Sequence, residues 1–309
     1  MKMHDSHQNN ELSILLHSLY PSFTLLRKSD PLKLAGATAF FTTFAIPPIV
    51  FILAQLFGLF LSPQKVGRGL IENISNNLGT DGAEQVRDVI KSIRGFNNNW
   101  WVITIGSLFM LFVATTLFIV IKNSLDDIWQ VKTREHPGIL FNIYNRLRSF
   151  AIILLIGILF FANLFFKSIE ILGVGYVENF SHNGSIFLNI LFSEFSSIII
   201  VAAWFILLFR FLADGKPVWK AAIAGGLVTG LLFTAGRFLL RILLIDSNIG
   251  QLYGASGSFV LILLFVFYTS FIMYFGACFI AIYSEKKQWP IAPGKNSGET
   301  KDKFKAGEN

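Results

Sequence analysis

Three charged residues lie well inside long apolar runs of this sequence: Glu194, Arg237 and Arg241. If those runs cross a bilayer, each charge costs roughly 2.5–3.5 kcal/mol at a helix centre, so each needs a reason to be there. Arg237 and Arg241 are four residues apart, share a helical face and repel each other unless something negative lies between them. One carboxylate, Glu194, does not balance two guanidiniums. An anionic ligand such as a lipid phosphate or a carboxylate would, and Glu170 and Glu178 in the outer loop could equally supply the balance. Two readings stand side by side: a structural Glu194–Arg237 pair with Arg241 snorkelling to the interface, or a site for an anion or lipid headgroup. Gln55, Asn163 and Asn189 are the polar residues nearest these charges in depth.

Other chemistry finds no support. There is no GxxxxGK[ST], HExxH or GxSxG pattern. Cys278 is the single cysteine, which excludes an internal disulfide and a multi-cysteine metal site. The histidines fall outside the apolar runs. No metal, cofactor or catalytic residue is expected, and the chain reads as a non-enzyme. Asp126-Asp127 is a carboxylate pair, but among Lys122, Lys132 and Arg134 it reads as a solvated cluster.

Composition fixes the setting of these residues. Of 309 residues, 53% are apolar and 15% charged, with 33 Phe. A soluble domain carries roughly 25% charged residues. Six runs are long enough to span a hydrocarbon core: about 34–61, 101–121, 149–166, 186–213, 219–244 and 257–284. The expected fold is an all-α polytopic bundle with six transmembrane helices. Pro47-Pro48 removes two backbone donors, so the first span is expected to kink or break there. Loop 63–99 carries an apolar stripe (Val86, Val89, Ile90, Ile93) and is expected to form short amphipathic helices on the outer surface. The expected organisation is a cytoplasmic N-terminal segment with an interfacial helix (1–33), a six-span membrane domain (34–284) and a basic, disordered cytoplasmic tail (285–309).

Basic residues set the orientation. Lys122, Lys132, Arg134, Arg146 and Arg148 occupy the second connection, Arg210, Lys216 and Lys220 the fourth, and six lysines the tail, whereas the fifth connection has none. Both termini should be cytoplasmic. The net charge of +7 then reads as a membrane-facing belt, not a nucleic-acid patch. In this orientation Glu194 lies roughly 12 Å, Arg237 about 10 Å and Arg241 about 5 Å below the outer surface. The expectation is a polar cavity open to the outer side, with Arg237 facing it.

Glycines mark packing and turns. Gly226 and Gly230, preceded by Ala222, form a small-xxx-small stripe for close helix approach. Tyr253-Gly254-Ala255-Ser256-Gly257 suggests a tight turn or re-entrant lead-in to the last span.

The layout resembles the YihY/virulence factor BrkB family of bacterial inner-membrane proteins over about residues 20–285. The residues that carry the resemblance are Asp30 to Leu61 with its Ala-Gly-Ala-Thr-Ala stretch and Ala45-Ile46-Pro47-Pro48, then Ser124 to Lys132, then Tyr253 to Gly257. Gly276-Ala277-Cys278 aligns with a Gly-Ala-Glu of the family's last helix, with Cys278 in place of the glutamate. The resemblance implies a multi-pass protein of the bacterial cytoplasmic membrane, formerly mislabelled ribonuclease BN, and linked to serum resistance or to export of lipid-linked precursors. Transport or flipping of an anionic or amphipathic substrate is the expected function. A non-transporting envelope, assembly or serum-resistance factor is the alternative. Membrane lipids are the expected partners, a homo-oligomer is left open, and no nucleic acid is expected.

Overall fold

The computed structural model describes residues 2–58, 87, 100–131, 143–155, 157–159, 182–240 and 257–293, without the side chains of 2–12, 50–51, 53–58, 100–103, 107, 182–196 and 257–258. Among these residues the protein is almost entirely helical. Helix α1 spans Lys2–Lys28, α2 Pro31–Gly58 and α3 Trp100–Ile128. Helix α4 covers 143–155, α5 His182–Phe211, α6 Trp219–Leu240 and α7 Gly257–Lys286. Two short strands, β1 (Gly215–Lys216) and β2 (Ala292–Pro293), pair antiparallel.

Four helical stretches among the described residues are long and apolar enough to cross a membrane: Pro31–Ile49, Thr104–Ile128, Trp219–Leu240 and Phe259–Lys286. A shorter apolar stretch, Ser197–Phe211, belongs to α5. Part of the expected span at 149–166, the turn at Tyr253-Gly254 and loop 63–99 apart from Arg87 lie outside the described residues. Helix α2 runs on through Pro47 and Pro48 without interruption. The two missing N–H groups leave the carbonyls of Thr43 and Phe44 without their i+4 donors. Contacts of α2 with both α3 and α7 hold the helix across that gap.

Local chemistry sets the helix ends. Asp30 sits at φ 51 and reverses the chain, and Pro31 opens α2 at a position where its missing N–H is harmless. Helices α3 and α7 end alike. Gln130 (φ 55) and Gln288 (φ 56) take the left-handed conformation. Val131 N–H then bonds back to Asp126 O, and Trp289 N–H to Ser284 O, at 2.9 and 2.8 Å. This Schellman turn satisfies the last carbonyls and directs Trp129 and Trp289 back over the bundle.

Helix α7 is the hub, touching α1, α2, α3 and α6. Tyr274, Ala277, Cys278, Phe279 and Ile280 are fully buried. Glycine notches set its register with α6. A Cβ on Gly225 would strike Ile280, one on Gly276 would strike Thr229, and one on Gly236 would strike Tyr268. On the other face of α6, Gly226 meets Ile206 and Gly230 meets Ala202 of α5. The expected small-residue stripe is therefore a packing seam, and the neighbouring Gly225 is a notch for Ile280. Exposed Phe40, Phe44, Leu108, Phe109, Leu231 and Phe238 give the outer surface its apolar character.

Candidate functional site

Two polar regions stand out in this apolar frame. The first is the α5–α6 seam. Gly226 and Gly230 let these helices approach closely, and further along the same seam Arg237 reaches across. Its Nη1 donates to Ser197 Oγ at 3.4 Å, with the side chain half-buried. Glu194 lies one turn before Ser197 in α5, and Asn189 lies earlier in the same helix. Gln55 belongs to α2. Only the backbone of these three is described. Arg241, Asn163, Tyr253 and Gly254 lie outside the described residues, and Gly257 opens α7. Of the sequence-derived site, the structure thus places Arg237 against Ser197 and puts Glu194 on the facing helix.

Several buried or half-buried threonines of α2 and α3 bond within their own helices. Thr42, Thr43, Thr115 and Thr116 donate to carbonyls three or four residues back in their own helices. Thr115 also accepts from Arg146 Nη1 at 2.9 Å, and Thr38 bonds across helices. Its hydroxyl meets Tyr274 OH at 2.6 Å in the buried α2–α7 contact.

The second region is a buried ionic node at the other end of α5 and α6. Lys122 and Asp126, one turn apart on α3, are 2% and 1% exposed. Lys122 Nζ lies 3.0 Å from Asp126 Oδ2 and 2.7 Å from Asp214 Oδ2. The second contact is an ion pair without hydrogen-bond alignment, since that Asp214 oxygen accepts no aligned hydrogen bond. Asp214 Oδ1 takes Arg148 Nη1 at 2.7 Å. Arg148, on α4, also donates through Nε to Phe211 O at 2.6 Å and through Nη2 to Ala213 O. Asp126 Oδ1 accepts the backbone N–H groups of Asp214 and Gly215, at 2.8 and 3.0 Å. The carboxylates therefore hold the α5–α6 turn against α3 and α4.

Around the node, Trp129 Nε1 donates to Ala277 O at 3.0 Å and binds the end of α3 to α7. Gly215 leaves room for Trp129, Val131 and Ile291, and β1 pairs with β2 after α7. Lys216 Nζ caps α5 by donating to the carbonyls of Arg210, Phe211 and Ala213. Burial, then the nearby Arg148, lowers the Lys216 ammonium from 10.5 to about 8, against the pull of Asp214. Arg210 stacks over Trp219 at 5.3 Å, and Lys220 and Lys287 flank Trp289.

The node corrects the reading of Asp126-Asp127 as a solvated pair. Asp127 is exposed, but Asp126 is buried. The physical reason is Asp214, 88 residues away, whose turn covers Asp126. The available signals were Lys122 and Asp126 at i, i+4 and the Asp-Gly that ends the fourth span.

The model of the virulence factor BrkB family matches residues 23–302. The chain belongs to that family. It is 25% identical over 276 residues to a UPF0761 membrane protein of Photobacterium profundum, covering 87% of this chain and 81% of that one. It is 24% identical over 270 residues to one of Aggregatibacter aphrophilus, covering 86% and 92%. For one of Pseudomonas paraeruginosa the identity is 23% over 258 residues, and the match spans 82% of this chain but only 60% of that longer relative. No solved structure matches.

Proposed function

We propose that this BrkB-family membrane protein moves an anionic or amphipathic, lipid-linked substrate across the bacterial cytoplasmic membrane. The observation that carries the proposal is Arg237: a half-buried guanidinium in an apolar helix, reaching across the α5–α6 seam to Ser197. A cation kept there at a cost of kilocalories is suited to hold a phosphate or carboxylate on its passage. In this reading Arg237, with Arg241 and Glu194, meets the substrate in the outer half, Gln55, Asn163 and Asn189 supply polar contacts, and both termini face the cytoplasm. Membrane lipids are its partners, and it catalyses no covalent step. Movement is gradient-driven, partner-driven or passive.

The alternative, a non-transporting envelope or assembly factor, gains from the same contact, because an arginine satisfied by a neighbouring helix also serves packing. Flux or scrambling by the purified protein in vesicles separates the two. Transport predicts a loss of roughly tenfold or more in Arg237→Ala and a clear loss in Glu194→Gln. If the protein moves nothing and both variants keep the wild-type phenotype, the transport reading fails.

A further inference from the structure

The ionic node is charge-balanced, with two cations and two carboxylates in mutual contact. Its acids are already occupied by Lys122, Arg148 and backbone N–H groups, and the neighbouring Lys216 donates to the carbonyls that end α5. Its contacts instead converge on segments that would otherwise be free to part: the end of α3, the start of α4 and the α5–α6 turn. Through Trp129 and the β1–β2 pair it also reaches α7.

We propose that this node is a latch. Closed, it holds this end of the bundle together and seals the interior beside Cys278. Released, it opens that end. Three observations carry the inference. The node is made of side-chain ion pairs, whereas the α5–α6 and α6–α7 seams are made of glycine notches. Interlocked notches resist separation along their whole length. A buried ion network is nearly all-or-none, because losing one partner strands the others while complete release returns every charge to water. Finally, the groups that seal α7 hang from the node. Trp129 follows Asp126 by three residues, its indole covers Ala277 O, and fully buried Cys278 is the next residue. As a gate on a substrate path the latch rests on the transport reading. As a closure it does not.

The native single cysteine is the reporter. A charged, water-soluble maleimide is applied to the full chain in nanodiscs and labelling of Cys278 is timed. The wild type is expected to react slowly. Asp126→Asn and Asp214→Asn, near-isosteric but without the ion pairs, are expected to raise the rate at least about tenfold at unchanged helical content. Gly236→Ala, which destabilises the α6–α7 seam far from the node, is expected to leave it near the wild-type rate. Should an Asn variant not fold, Arg148→Lys, which keeps the charge but loses the fork to Phe211 O and Ala213 O, carries the same prediction. Wild-type rates in the folded node variants, or an equal rise in Gly236→Ala, would overturn the latch. No substrate is needed, so an inactive protein in flux assays leaves this result standing.

Discussion

At the residue scale, what decides the molecule is where a charge finds its partner. Lys122 and Asp214 are buried together, and removing one leaves the other stranded in a low-dielectric interior. Lys122→Met is expected to destabilise the protein by about 3–5 kcal/mol, and Asp126→Asn by less, because its amide oxygen still accepts the N–H groups of Asp214 and Gly215. Chemical or thermal unfolding in a defined detergent reads the difference. Lys216 gives a pH signature. Burial disfavours its ammonium, so it should lose its proton near pH 8. The cost of burying the charge is present below that pH and is relieved as pH rises toward 10.5. Acylation of Lys216, followed by mass spectrometry, should therefore reach half its maximal rate near pH 8. A Lys216 midpoint at the ordinary lysine value of 10.5 would contradict this.

Arg237 was legible in the sequence because an arginine in an apolar run has few explanations. Asp126 was not. Its partner Asp214 is 88 residues distant, and only the folded turn shows that the two share one buried site. Linear proximity to Lys132 and Arg134 suggested solvent; tertiary contact instead supplied two backbone donors from the α5–α6 turn and brought Asp214 to share Lys122.

At the scale of elements, the helices were legible because spanning length and apolarity leave little else for the backbone to do. Their registers were not, since a glycine shows that something comes close without showing what. Gly225 takes Ile280, Gly236 takes Tyr268, and Gly276 takes Thr229. Gly236→Ala is expected to cost about 1–3 kcal/mol by overpacking against the Tyr268 ring. Tyr268→Ala should recover part of that loss in the double variant, so the two effects should fall short of additivity. Additive losses would mean that the two residues do not meet. Pro47-Pro48 shows the reverse limit. The helix is not broken at the two prolines, and α2 packs against α3 and α7.

At the scale of the whole molecule, the ionic node and the Arg237 seam lie at opposite ends of α5 and α6. The basic residues Arg146, Arg148, Arg210, Lys216 and Lys220 gather at the node's end, which the proposed orientation, following the positive-inside rule, assigns to the cytoplasm. A fluorescent protein fused to the C-terminus should then fluoresce in cells, and a periplasm-dependent phosphatase at the same site should stay inactive. The opposite pattern would invert the orientation and move the Arg237 seam to the cytoplasmic side. In the proposed orientation the latch would close the cytoplasmic end while the arginine lies toward the other, the arrangement an alternating pathway needs.

The most direct test of that account is a vesicle assay with purified protein and a fluorescent anionic phospholipid as the probe. Movement between leaflets is read by quenching from outside, with Arg237→Ala and Arg237→Lys beside the wild type. The account predicts protein-dependent movement, lost by roughly tenfold or more in Arg237→Ala and partly kept in Arg237→Lys, which retains the charge but not the fork. Movement that is equal in the wild type and both variants would contradict it.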